Sequence, residues 1–162
     1  MSYPICHSDP FSTNDATATH TVGGLYTNGD GNVYRYDKFL DAVTYKRGQV
    51  VCPASATLSY QTNDRSGGTG IGSGLEASGV VCYPVTANYF GFSQVAGIAL
   101  VIGDGSVAAG DFVVAHTVDG EADTMADGEE EQVFGVALDA DSTSNDPLGT
   151  STMFHCRLRG LI

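Results

Sequence analysis

No apolar stretch in this chain runs far before a glycine, proline or Asn/Asp turn interrupts it, and that punctuation restricts the fold more than any other feature. Short runs rich in Val, Tyr, Phe and Thr, separated by such turns, build strands and hairpins; they are too short and too β-branched for packed helices. The clearest turn is Thr27-Asn28-Gly29-Asp30-Gly31-Asn32, where Asn-Gly and Asp-Gly supply the positive φ of a tight hairpin between Leu25-Tyr26 and Val33 to Tyr36. Further strands are expected at Gln49 to Cys52, closed by Pro53, and at Val80 to Tyr83, Tyr89 to Val101, Phe112 to His116, Gln132 to Leu138 and Phe154 to Leu158. Lys38 to Tyr45 fits either a strand or one short helical turn. Gly91 and Gly97 inside the longest run predict bulges or close strand crossings. About eight short strands and no long amphipathic helix predict an all-β fold, a small β-barrel or β-sandwich.

The ends and one loop read differently. Residues 1–21 carry two prolines and no sustained hydrophobic period, so they are expected to form an extended N-terminal arm, with Tyr3, Ile5 and Phe11 as its isolated apolar contacts. A single β domain is expected over residues 22–162. Within it, residues 62–79 hold six glycines and few large side chains, which predicts a flexible loop.

At 162 residues with 42% apolar and 16% charged content, the chain has enough material for one core and little charged surface. Seven Lys and Arg against 19 Asp and Glu give a net charge of -12, which repels nucleic acid and anionic lipid; no direct nucleic-acid or membrane partner is expected. No signal peptide or membrane span is recognised. Cys6, Cys52, Cys82 and Cys156 are widely spaced with no C-x-x-C, and they read as free thiols, Cys52 and Cys82 at the ends of apolar strands.

Chemical motifs find little support. His7, His20, His116 and His155 are scattered, and His116 and His155 at strand ends read as structural. Gly67 to Gly74 matches a phosphate-binding turn superficially, but no helix follows and no lysine lies nearby. Asn28, Asp30 and Asn32 imitate the first EF-hand positions, yet Val33 and Phe39 stand where glycine and the terminal glutamate belong. Asp119 to Glu131 reads as a solvated acidic hairpin, with weak Ca²⁺ binding or a basic partner as its alternatives. No catalytic residue, metal site or cofactor is assigned, and the chain is expected not to be an enzyme.

Aromatic residues are abundant for one small core, and aromatic side chains anchor protein interfaces. Tyr34, Tyr36, Phe39, Tyr89 and Phe90, together with Tyr3, Ile5 and Phe11 of the arm, are therefore the candidate interface residues.

Three segments taken together resemble a known family: Gly91-Phe92-Ser93-Gln94-Val95-Ala96-Gly97-Ile98-Ala99, Val107-Ala108-Ala109-Gly110-Asp111-Phe112-Val113-Val114, and Phe134-Gly135-Val136-Ala137-Leu138. They are similar, in order, to a G-x-x-Q-V-x-G strand, an A-x-G-D turn and a G-x-A-L strand of the capsid decoration, or cement, proteins of tailed bacteriophages and related viruses. The resemblance covers roughly residues 22–140. It implies a virion protein, made in the host cytoplasm, that binds the outer surface of an icosahedral capsid and stabilises contacts between major capsid subunits. The implied partner is the major capsid protein, with the chain itself present as a homo-oligomer or in many copies. The alternatives are another virion part, such as a head fibre, collar or tail component, or a carbohydrate-binding β module, which the absence of Trp disfavours.

Overall fold

A computed structural model describes residues 11–40, 44–53, 61–63, 77–116, 118, 120–146 and 148–161. Ten strands appear: β1 (Leu25–Thr27), β2 (Val33–Phe39), β3 (Val50–Pro53), β4 (Gln61–Asn63), β5 (Gly79–Val81), β6 (Phe90–Ile102), β7 (Phe112–Ala115), β8 (Ala122–Thr124), β9 (Gly135–Ala137) and β10 (Met153–Leu158). Among the described residues, helical structure is confined to two 3-10 turns, Glu130–Gln132 and Thr143–Asn145. The fold is all-β, as the turn-broken pattern predicts.

The strands form one hydrogen-bonded order, β1-β2-β4-β3-β5-β6-β10-β9-β7-β8, open at β1 and β8. Neighbours are antiparallel apart from the parallel β2–β4 pair. Strand β2 also pairs with β6, so β2, β4, β3, β5 and β6 complete a ring of pairings inside the larger open sheet. The thirteen-residue β6 belongs to both halves of the molecule: residues 90–96 pair with β2, and residues 97–102 with β10.

Gly97 marks the hand-over. Its φ of +93° lies in the left-handed region, and a Cβ there would collide with Asn32. Asn32 uses that space to accept a 3.0 Å hydrogen bond from the Ile98 amide, tying the β1–β2 hairpin to the bend. Asn28 accepts from the Asp30 and Asn32 amides and thereby shapes the turn. Two of the three EF-hand-like side-chain carbonyls are thus committed to backbone amides.

Alternation along the strands divides the interior. Arg35, Asp37 and Phe39 share one face of β2, and Val51 of β3 and Val81 of β5 join Phe39, Tyr45 and Val85 in an apolar cluster. Their neighbours Val50 and Val80 point the other way, into the largest core cluster, with Val101, Val113, Phe134 and Phe154. That cluster holds the two halves together. Cys156 lies within it, and Cys52, Cys82 and Cys156 are all buried and in no disulfide.

Arg35 and Asp37 are 5% and 0% exposed, and their side chains form a two-point ion pair at 2.7 and 3.1 Å, with Arg35 also donating to the Ser78 carbonyl. Burial pushes the Asp37 carboxyl up to about 6 against the pull of the Arg35 guanidinium beside it.

The structure corrects the bounds of one loop and settles two further readings. Thr62, Asn63 and Gly79, assigned to the glycine-rich loop 62–79, are strand residues of β4 and β5, while residues 64–76 lie outside the described residues. Lys38 and Phe39 continue β2 as a strand, and residues 41–43 lie outside the described set. The acidic segment carries a strand, β8, which pairs with β7.

Asp37→Asn leaves the Arg35 charge buried without its counter-ion and is expected to cost about 3 kcal/mol or more in denaturant unfolding. The double replacement Arg35→Met with Asp37→Leu removes both charges and should cost less than Asp37→Asn alone. A single-variant cost below about 0.5 kcal/mol, the range of ordinary surface substitutions, would show that the pair carries no such weight.

Candidate docking surfaces

The candidate interface aromatics do not form one exposed patch. Phe11, Tyr34, Tyr36 and Phe39 are 7%, 1%, 0% and 0% exposed. Phe11 stacks on Tyr34 with ring centres 4.1 Å apart and meets Phe92 edge-on at 5.0 Å. The segment that begins at Phe11 therefore covers the outer face of β2 and β6 within the same chain. Asp15 continues the cover: its backbone bridges to Phe90, and its carboxylate accepts a 2.6 Å hydrogen bond from the Tyr36 hydroxyl. Burial first, and then this carboxylate, hold the Tyr36 hydroxyl above its ordinary pKa. His20 meets Tyr36 and Phe92 edge-on.

These rings are consumed by internal packing, because the aromatic surface of β2 and β6 receives residues 11–21 as its cover. Tyr89 and Phe90 are partly buried: Tyr89 packs on the Phe39 cluster, and Phe90 stacks over Tyr36 with Lys38 Nζ 5.8 Å from its ring centre. Tyr3 and Ile5 lie outside the described residues.

The one three-residue cluster with metal-like spacing among the described residues is Asp104, His116 and Asp123. His116 Nδ1 accepts a hydrogen bond from the Val118 amide at 3.1 Å and lies 3.6 Å from Glu121 Oε2, while Nε2 lies 3.8 Å from Asp123 Oδ2. The ring therefore sits in a histidine–carboxylate cluster. His155 is likewise engaged, with Nδ1 2.6 Å from Asp139 Oδ2. Burial pushes the Cys52 and Cys156 thiols up to about 12, which holds both protonated and poorly nucleophilic.

Surface apolar groups gather instead in a groove of about 410 Å³. Its walls include Lys46, Arg47, Tyr83, Ile102, Leu148 and Met153. Leu148 is 82% exposed and Tyr83 46%, although both are large apolar side chains. Asp146 fixes the wall that presents Leu148. Its carboxylate accepts from the Leu148, Thr150 and Ser151 amides at 2.9, 2.6 and 2.9 Å, and from the Thr150 hydroxyl. Burial raises the Asp146 pKa, but these donors outweigh it and hold the group below the usual carboxylate value. Sequence reasoning missed this groove; the available signal was Asp146-Pro147-Leu148-Gly149-Thr150, an aspartate followed by turn residues whose amides it can collect.

No protein-family model matches the sequence, and no curated protein does either. Among solved structures, the fold is similar to the head fibre gp8.5 N base of bacteriophage phi29, with a TM-score of 0.50 and 11% sequence identity. The match covers 78% of this chain and 93% of that one.

Phe11→Ala should lower unfolding stability by about 3 kcal/mol, as expected for a buried ring, with loss of near-ultraviolet dichroism from the aromatic cluster. Asp146→Ala should cost about 2 kcal/mol through lost amide partners and should raise hydrogen exchange at Leu148 to Ser151. Because the native Asp146 pKa lies below the unfolded value of 3.8, its contribution is present above that pH and is lost as acidification passes through the native value. The gap between wild type and Asp146→Ala should therefore close below about pH 4; a gap that widens there contradicts the assignment.

Proposed function

We propose that this chain is a structural protein of a bacteriophage virion, seated on the outside of the head as a decoration protein. The observation that carries the reading is the fold shared with a head fibre base over 93% of that chain. The order of the three strand and turn segments that resemble cement proteins points the same way. The net charge of -12 suits a surface directed away from packaged DNA. Buried protonated thiols and engaged histidines suit a binding protein better than a catalyst.

A second reading, the base of a head fibre, is favoured by the structural neighbour, which is itself a head fibre base. In both readings the chain contacts head subunits through protein–protein surfaces. They differ in consequence: a cement protein spans subunit boundaries and strengthens the shell, whereas a fibre base occupies its site and carries an appendage.

Purified heads lacking the chain, mixed with excess protein and pelleted, should carry it down saturably; protein left wholly in the supernatant contradicts both readings. Heat separates them. Bound protein that raises the temperature of head rupture supports the decoration reading, and saturable binding with unchanged rupture supports the fibre-base reading.

A further inference from the structure

We infer that copies of this chain bind one another head to tail, a knob at Phe112 of one copy seated in the Lys46–Arg47 groove of the next. The groove and the knob are complementary in charge and in apolar character, and both lie on the same molecule.

On the groove side, Tyr83, Ile102, Leu148 and Met153 provide the apolar surface, flanked by Lys46 and Arg47. These are two of the chain's seven basic residues, on a molecule of net charge -12. No carboxylate among the described residues forms an ion pair with either. The groove's own carboxylate, Asp146, is committed to the amides of its loop. An occupant of matching chemistry is therefore apolar at its centre and acidic at its edge.

The knob has that composition. Phe112 begins β7 and is 54% exposed. Its carbonyl accepts from the Met125 amide at 2.8 Å, which brings the ring's strand alongside the turn that follows β8. That turn is tied by Glu129 Oε2, which accepts from the Ala126 amide, and it displays Asp127, Glu130 and Glu131 to solvent. No Lys or Arg occurs between Val118 and Phe134, so the acidic edge is not neutralised along the chain. An exposed aromatic ring, on a strand whose neighbouring turn is acidic, is matched with an apolar groove lined also by two cations. Aromatic and arginine side chains are the residue types that dominate interface energetics.

Groove and knob are different surfaces, so the contact is heterologous: repetition closes a ring or extends a filament. This proposal stands on the charges and exposures above and does not depend on the virion reading.

The test is sedimentation equilibrium of the whole chain at about 0.05 and about 0.5 M salt. The inference expects association at low salt that weakens at high salt. Lys46→Glu with Arg47→Glu, and separately Glu130→Lys with Glu131→Lys, should each weaken self-association at least about tenfold, since each sets like charges against one another. Mixing the two charge-reversed chains should restore association between unlike copies, which also shows that both are folded. Phe112→Ser should weaken association without changing its salt dependence. A wild-type chain that stays monomeric at low salt overturns the inference, as does association that neither charge reversal alters or that mixing fails to restore.

Discussion

Strand β6 is the constraint on which the rest of the fold depends. Its first half completes the ring with β2 and β5, and its second half carries β10 and, through it, β9, β7 and β8. The hand-over between the two sets of pairings falls at Gly97, whose backbone lies in the left-handed region. Gly97 supplies the bend, and the Asn32 side chain fills the space that a Cβ would have occupied. The Val50, Val80, Val101 and Phe154 cluster then joins the two halves across their inner faces. The buried Arg35–Asp37 pair inside the ring adds directional bonds to a region otherwise packed by Phe39, Tyr45 and three valines.

Much of this was legible in the sequence because turn chemistry is local. Asn28-Gly29 and Asp30-Gly31 announce the first hairpin, and a glycine within the long apolar run at Gly97 announces a close crossing; both are found. Strands β4 and β8 were not legible: Gln61-Thr62-Asn63 and Ala122-Asp123-Thr124 contain almost no apolar alternation, and they become strands because β2, β3 and β7 offer unpaired backbone groups. Tertiary partners decide such segments.

The surface was harder to read than the core. Tyr34, Tyr36 and Phe92 have the character of interface anchors, yet residues 11–21 cover them, and nothing in β2 or β6 alone signals that cover. The groove depends on contacts between segments a hundred residues apart, Lys46 and Arg47 on one side and Leu148 and Met153 on the other. Asp146 shapes one wall through hydrogen bonds to its own loop, so an acidic residue that looks like surface charge is structural. Among the described residues, the exposed chemistry left after these internal commitments includes cations at a groove and carboxylates on the turn that follows β8.

The central claim, that this chain is an external structural part of a virion head, is tested most directly by comparing reconstructed particles made with and without it. The account predicts that density fitting the ten-stranded fold disappears from the outer surface of the head when the chain is absent, while the shell beneath keeps its lattice. Identical head exteriors in the two reconstructions would contradict it.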